Sequence, residues 1–316
     1  MLDIIIPAYN AQKTINETLS SIVYQKYNFD IHVYIVDDCS HRNYNEFINF
    51  YKQFIDIKEL NLTENMGPGY ARQYGIENSK SKYILFIDSD DVFSCPNSLE
   101  MLVNEIEKRN SDVVISDFVE ERDEMFFLKA DDKIWLHGKI YRRSFLEKNN
   151  IKFNNSRTNE DNGFNSLIML HNSKIDYVSF KTYIWRNNKD SITRKNNYEY
   201  LFKGIEGYIY NMNWSLTEGI KNKCDNIKIG ELSYVTLISI YLIYIDYYEE
   251  KDCKFILQNS KNILNISNKF VIDNSDKNRL INEYLEFYFI ENEKTKFFNS
   301  KVTFDEFIRK INEVEV

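Results

Sequence analysis

The chain has 316 residues, 43% of them hydrophobic and 15% aromatic, enough apolar material for a buried core and too much for a disordered chain. A formal net charge of −8 disfavours general binding to nucleic-acid backbones, though it leaves room for a local basic groove. Cys39, Cys95, Cys224 and Cys253 show no C-x-x-C spacing and no disulfide framework, which suits a reducing cytoplasm.

The chain opens on the strand-like run LDIIIP, which leaves no room for a signal peptide, so the sequons at Asn16 and Asn61 carry little weight. A buried strand over Leu2 to Pro7 runs into the loop Pro7-Ala8-Tyr9-Asn10. Thr14 and Glu17 read as a capping box before a helix with Ile15, Leu19, Ile22 and Val23 on one face. A second strand, Ile31 to Val36, ends on Asp37-Asp38-Cys39-Ser40. A helix around Asn43 to Gln53 follows, opened by the box-like pair Asn43 and Glu46. A third strand, Asp56 to Leu62, leads to Asn65-Met66-Gly67 and a helix with Pro68 in its first turn. Tyr83 to Ile87 is a fourth buried strand, stopping on Asp88, Asp90 and Asp91. A helix marked by Leu99, Leu102, Val103 and Ile106 and a fifth strand, Asp112 to Phe118, complete an alternating pattern. That pattern predicts a doubly wound, mostly parallel α/β sheet.

Beyond Phe118 the pattern weakens. Met125 to Lys129 and Trp135 to Tyr141 read as strands, Ser144 to Glu147 as a short helix, and Glu160-Asp161 as the start of a helix carrying Phe164, Leu167, Ile168 and His171. Ile175 to Val178 and Thr182 to Trp185 read as extended. From about Asn196 the spacing is helical, as at Leu280, Tyr284, Phe287 and Tyr288, and a surface loop is expected within Asn259 to Asn278. The longest apolar segment, Leu232 to Ile245, would span about 21 Å as a helix, short of the ~30 Å membrane core, and reads as a buried helix. The alternative is a dimer contact or a membrane-surface contact through these C-terminal helices. The expected division is 1–195 (halves 1–118 and 119–195) followed by a helical region, 196–316.

Carboxylates as dense as Asp88, Asp90 and Asp91 at the end of a buried strand repel one another unless a cation sits among them. Strand ends in open α/β sheets are also where ligands bind. A divalent metal carrying a phosphorylated substrate accounts for both facts; a solvated Asp-rich turn is the plainer alternative. The other polar strand ends would converge on the same edge, making a cleft suited to a nucleotide and a metal.

The stretches IIIPAYNAQKTINETLSSI, VDDCS, ENMGPGYARQYGI, KYILFIDSDD, IWLHGKIYRRSFL, NEDNGFN and YIWRNNKDSITR follow one another in the order found in family 2 glycosyltransferases. Over residues 1 to 195 the chain resembles that family, which implies a GT-A fold using nucleotide sugars, with a C-terminal helical appendage. The resemblance implies that Pro7 and Tyr9 border the base and ribose and that Asp38 accepts from a uracil imide, with Asp37 beside it. It places Asn65 and Ser89 in the nucleotide-sugar site, Asp88 at the ribose and Asp90 on Mn²⁺ or Mg²⁺, with Asp91 orienting its neighbours. Arg72 would reach a phosphate or line the base pocket. Asp161, with Glu160 second, would be the base of an inverting displacement. Trp135, His137 and Lys139 would line the acceptor side, His137 as a metal ligand or acceptor contact. Arg186 and Arg194 would clamp the diphosphate. His32 and His171 read as ordinary surface or core positions. One departure is Cys39, which stands where this turn usually has glycine.

The reading is therefore an inverting, metal-dependent transferase moving a sugar from a nucleotide sugar, UDP-linked by preference, to an acceptor hydroxyl in bacterial surface glycan synthesis. It would be cytoplasmic or peripheral to the inner face of the membrane. Alternatives are transfer to a protein or a hydroxylated DNA base, or an inactive nucleotide-sugar-binding scaffold. A dinucleotide redox enzyme is disfavoured because no G-x-G-x-x-G follows the first strand.

Overall fold

The computed structural model describes residues 1–188, 198–247, 253–287, 297 and 300–314. The chain forms two compact units, Met1–Asn165 with Ser173–Tyr200, and Ser166–Asn172 with Leu201–Val316.

The first unit is built on a mixed sheet. Strands β1 (Leu2–Ala8), β2 (Ile31–Asp37), β3 (Asp56–Asn61) and β4 (Tyr83–Phe86) lie parallel in the order β3-β2-β1-β4. Helices α1 (Ile15–Val23), α2 (Asn45–Tyr51) and α3 (Pro68–Glu77) connect them. Every residue of β1 is buried, as expected for a strand covered on both faces. Pro7 is tolerated there for a local reason. Ile5 accepts from Ile87 N, so alternate residues of β1, Pro7 among them, turn their backbone toward β4. The β1–β4 ladder ends at Ile5–Phe86, and the missing N–H of Pro7 falls beyond it.

The parallel order then breaks. After β5 (Val92–Phe93) and α4 (Ser98–Arg109), the long β6 (Val113–Arg122) does not pair with β4. Antiparallel β8 (Lys139–Arg142) lies between them. β7 (Met125–Lys129) forms a hairpin with β6, and β9 (Ile175–Trp185) runs parallel to β6 and antiparallel to β5. The sheet is thus parallel through β3-β2-β1-β4 and again at β6–β9, with antiparallel pairings made by β8, β7 and β5, so it is parallel-rich as expected. β8 follows β7 through residues 130–138 with no helix between and continues along β6 in the same antiparallel direction, a choice that strand composition alone does not reveal.

Several local expectations change. Thr14 makes no cap bond, because Ala11 to Thr14 already form a turn and the Thr14 hydroxyl donates back to Ala11 O (3.3 Å). Asn43 and Glu46 form no box: α2 starts at Asn45, and Asn43 Oδ1 accepts from the Asn45 N–H. Trp135 to Gly138 is not strand. Asp132 Oδ1 accepts from the N–H groups of Ile134 and Trp135 (2.9 and 2.8 Å), closing a turn that delays β8 to Lys139. The two extended pieces after Ile175 are one strand, β9, with a register irregularity opposite Ser116 to Phe118. Helices α5 (Arg143–Lys148) and α6 (Glu160–Leu170) form as expected.

The second unit is helical: α7 (Tyr198–Lys221), α8 (Asn226–Tyr247), α9 (Cys253–Lys269), α10 (Asn274–Phe287) and α11 (Phe304–Glu313). The loop expected within Asn259 to Asn278 shrinks to residues 270–273, since α9 carries its apolar face through to Lys269. Tyr288 lies outside the described residues. Helix α8 has 22 residues rather than 14, long and apolar enough by length and composition to cross a membrane, yet 61% of its most apolar window is buried within the protein. Leu237, Ile238, Ile240 and Tyr241 are at most 1% exposed. The Tyr241 hydroxyl donates to Val302 O (2.7 Å), which satisfies its one polar atom inside the core. Apart from its N-cap Thr303, α11 is held by Phe307 and Ile311, both fully buried.

Candidate active site

The polar strand ends of the first unit do meet. Asn10 at the end of β1 donates its backbone N–H to Ser40 Oγ (2.8 Å), and His41 N donates to Asn10 Oδ1 (3.0 Å), which joins the loops after β1 and β2. Cys39 sits in this turn at φ 63°, the left-handed region, at a backbone cost of roughly 1–2 kcal/mol that glycine would not incur. Asp37 Oδ1 accepts from Ser40 N (2.9 Å). Asp38 is buried, and its two carboxylate oxygens accept from Met66 N (2.6 Å) and Gly67 N (2.8 Å), the entrance to α3. Burial raises its pKa, and these two donors oppose the shift. Asp38 is therefore first a clamp on the loop before α3. Asn65 belongs to the same clamp: it donates to Asp38 O (3.2 Å), and Arg157 holds it from outside through Asn65 Oδ1 (2.7 Å) and O (2.6 Å). Tyr9 is half-exposed, Pro7 is buried inside β1, and Ser89 is half-buried in the turn after β4.

Arg72 departs from expectation. Its guanidinium bridges Asp88 (2.6 Å) and Glu160 (2.5 Å) at 5% exposure, with Nε left without a partner. Gly69 permits this. A Cβ there would lie 2.9 Å from Asn154 O and 3.0 Å from Glu160 Cβ, so only glycine lets the first turn of α3 approach the start of α6 so closely. Burial works against the charge on Asp88, and Arg72, aided by His137, more than offsets it, holding Asp88 well below the usual carboxylate range. Asp161, buried next to Glu160, moves the other way. Burial and then the Glu160 charge push its pKa up to about 7, against the opposing influence of Arg72 and of the Asn162 N–H at 2.8 Å.

Beyond Asp88 the acidic turn is braced from β9. The Tyr183 hydroxyl donates to Asp91 Oδ2 (2.5 Å) and accepts from Asp88 N (3.3 Å), while Arg186 N donates to Asp91 Oδ1 (2.8 Å). Asn188 Nδ2 donates to Asp90 Oδ2 (2.8 Å), and burial, then the Asp88 charge, raises the Asp90 pKa. His137 is buried, its ring stacked on Tyr183 (4.6 Å) and parallel to Trp135 (6.0 Å). Its Nε2 lies 3.8 Å from both Asp88 Oδ2 and Asp91 Oδ2. Ligand atoms of Asp88, Asp91 and His137 all fall within 4.8 Å of one another. Two carboxylates and an imidazole nitrogen, with Asp90 adjoining on the same turn, fit a divalent cation such as Mn²⁺, and the raised pKa values of Asp90 and Asp91 mark negative charge that such a cation would relieve.

Two expected contacts are occupied elsewhere. Lys139 is buried, and its ammonium bonds to Trp135 O and approaches Asp132 Oδ1 (3.5 Å), so it fastens the turn that carries Trp135 and His137 instead of facing an acceptor. The Arg186 guanidinium pairs with Glu17 and lies near Glu121 (3.6 Å). Arg194 lies outside the described residues. Tyr183, Asn188, Arg157 and Asp132 are not singled out by sequence reasoning. Tyr183 and Asn188 lie inside the motif stretch YIWRNN, the only signal available for them; Arg157 and Asp132 sit in irregular segments that carry none.

With this geometry in view, similarity to known proteins is informative. The profile of the family described as "Glycosyl transferase family 2" matches residues 3–161. The chain belongs to that family, and its fold is that of a glycosyltransferase. Poly(ribitol-phosphate) beta-N-acetylglucosaminyltransferase TarS of Staphylococcus aureus is 28% identical over 204 residues, covering 59% of this chain and 35% of TarS. The corresponding TarP of the same species is 31% identical over 193 residues, 55% of this chain and 58% of TarP. The chain thus spans only about a third of TarS, by the coverage above. Among solved structures, S. aureus TarS 1–349 in complex with UDP-GlcNAc superposes with a TM-score of 0.72 at 17% identity, covering 94% of this chain and 91% of that one. That likeness extends through the helical C-terminal region and speaks to fold.

Proposed function

We propose that the protein is an inverting, divalent-metal-dependent glycosyltransferase that moves a sugar from a UDP-sugar to a hydroxyl of a bacterial surface glycan, a polyol-phosphate polymer being the favoured acceptor. The observation that carries the reading is the Arg72 bridge. It ties a strongly ionised Asp88 on the donor side to a Glu160–Asp161 pair in which Asp161 has the proton affinity of a base at neutral pH. The names of TarS and TarP support the acceptor class, and the UDP-GlcNAc bound to TarS supports the donor.

In this mechanism Asp161 takes the proton from the acceptor hydroxyl as its oxygen bonds to the anomeric carbon and the bond to the diphosphate breaks. Glu160, fixed by Arg72, raises the basicity of Asp161 and does not itself turn toward the acceptor. Asp88, Asp91 and His137, with Asp90 adjoining on the same turn, would hold the metal, which would stabilise negative charge on the departing diphosphate. Tyr183 and the Arg186 N–H keep Asp91 aligned. The clamp of Asp38 on residues 66–67 sets the wall on which a uracil would rest. We place the enzyme in the cytoplasm, where nucleotide sugars are made.

The test is a thermal-shift screen of UDP-, GDP-, CMP- and dTDP-sugars with and without Mn²⁺, followed by product analysis with a polyol-phosphate acceptor. A ligand that binds only the native state raises Tm with its affinity. Stabilisation by a UDP-sugar that requires Mn²⁺ and is lost in Asp90→Asn supports the proposal. No shift with any nucleotide would leave the inactive-scaffold reading in its place.

A further inference from the structure

Strand β1 carries a single charge, Asp3, fully buried in a run that is otherwise apolar. Register shows what surrounds it. Asp3 pairs with His32, His32 with Asp56 and Tyr34 with Lys58, so these side chains share one face of the sheet with Ile5 and Val36. Helix α3 covers that face higher up, where a Cβ at Gly75 would meet Ile5 Cγ2 at 2.5 Å and Val36 Cγ2 at 3.2 Å. The helix ends at Glu77. Beyond its end lies a cleft of about 390 Å³, with Asp3, His32, Tyr34, Lys58, Asn78 and Lys80 in its walls. Small-molecule sites occupy roughly 300–1,000 Å³. Asp3 is roughly 16 Å along the strand from Ala8, at the sheet edge opposite the candidate active site.

Half of the Asp3 carboxylate has a structural role. Oδ2 accepts from Arg143 Nη2 (2.8 Å) and Ser81 N (2.6 Å). Arg143 also donates to Ile76 O (2.9 Å) and Ser79 Oγ (2.6 Å), which ties residues 76–81 to β1. Oδ1 is buried and has no partner. The staple needs only Oδ2, and a carboxylate oxygen buried without a donor is costly, so Oδ1 calls for a donor from outside the chain. The walls carry the opposite charge. Lys58 and Lys80 are exposed and enter no ion pair among the described residues. The carboxylates on the adjoining segments are engaged: Asp56 by His32 (2.7 Å), Glu77 by Gln73 (2.8 Å), and Glu59, on the other face, by the Tyr44 N–H (3.2 Å). The cleft therefore joins a buried acceptor to two unmatched ammonium groups. A neutral ligand would leave the lysines unmatched, and a bare anion would be repelled by Asp3. A molecule with hydroxyls at one end and a phosphate at the other satisfies both.

We propose that this cleft binds a hydroxylated phosphate ester, a hydroxyl donating to Asp3 Oδ1 and the phosphate held between Lys58 and Lys80. Lysines from two separate segments suit a phosphate, whose several oxygens can meet both. Such a group occurs in a free sugar or polyol phosphate and in each unit of a polyol-phosphate polymer. The site stands apart from the donor and base residues and does not depend on the activity proposed for them.

The test is isothermal titration calorimetry on the full chain, with EDTA present and no nucleotide. Glycerol 3-phosphate or glucose 6-phosphate should bind about tenfold or more tightly than inorganic phosphate, and glycerol should give no heat of binding. Lys58→Gln and Lys80→Gln change exposed side chains, so both should fold as the wild type does. Each should weaken ester binding by about tenfold. Binding of UDP with Mn²⁺, titrated separately, should be the same in both variants as in the wild type. A poly(ribitol-phosphate) oligomer that binds about tenfold more tightly per unit than the free esters, through the same two lysines, assigns the site to the polymer. An oligomer that binds no better assigns it to the free ester. The proposal is overturned if neither ester binds, if inorganic phosphate binds as tightly as the esters, or if both lysine variants bind them like the wild type. A wild type that binds the esters but not UDP leaves this site standing and removes the proposed activity instead.

Discussion

Removing the Arg72 guanidinium is the perturbation on which most of the site's logic depends. Arg72→Met keeps much of the stem's volume and deletes the charge between Asp88 and Glu160. Breaking a buried pair costs about 3–5 kcal/mol, because the partners remain buried without compensation. The two partners differ, however. The Glu160 side chain is only 8% exposed, whereas Asp88 is 34% exposed and can be partly solvated. The lower end, about 3 kcal/mol, is therefore expected, a large share of a typical net stability of about 5–15 kcal/mol. For a unit of this size that corresponds to a fall in Tm of roughly 6–12 °C. Thermal unfolding followed by circular dichroism at pH 8 measures it, with Lys82→Met as the control. Lys82 and Glu107 form an ion pair at 2.7 Å but are 50 and 38% exposed, and such pairs contribute about 1 kcal/mol or less. The pH dependence gives a second check. Because the folded pKa of Asp88 is depressed, its pairing stabilises fully above the unfolded value near 3.9 and is lost as pH falls toward the folded one, so the gap between wild type and variant should narrow in acid. An Arg72→Met protein melting within about 2 °C of wild type, or no worse than Lys82→Met, would refute the reasoning.

Asp161 must be ionised to act as a base, so kcat/KM should rise with pH through about 7 and then level off, measured with saturating metal. Asp161→Asn should lower kcat by about 10²–10⁴-fold. It should do so without lowering Tm at pH 8, because a carboxyl whose folded pKa is raised costs stability once the pH exceeds its unfolded value and asparagine removes that cost; a lower Tm would point to a structural role instead. Gly75→Ala tests the packing of α3 on the sheet. The added Cβ would lie 2.5 Å from Ile5 Cγ2 and 3.2 Å from Val36 Cγ2, both in fully buried side chains. Overpacking by about 1–3 kcal/mol should exceed the gain in helix propensity of about 1 kcal/mol, and denaturant unfolding should show a net loss.

What the sequence determined by itself was local and periodic. Alternating apolar runs and helical faces located β1 to β4, α1 and α4, because a buried strand or an amphipathic helix must write its period into the chain, while Pro68 marked the start of α3. The motif series marked the loops that meet at the sheet edge, with Asp38, Asp88, Asp90, Glu160 and Asp161 among them. The tertiary structure alone decided how those charges are shared. Arg72 lies 16 residues from Asp88 and 88 from Glu160, and nothing in its own helix says that it will bridge them instead of facing a phosphate. Lys139 looks like an acceptor contact until the turn at Asp132 is seen to engage it, and Arg186 looks free until Glu17 arrives from another helix. The antiparallel insertion of β8 between β4 and β6 is equally invisible in composition, because an apolar strand serves either direction. Periodicity is a property of neighbours along the chain. Charge pairing and strand order are settled between residues far apart in it, and there the physical decision depends on which groups folding brings within a few ångströms.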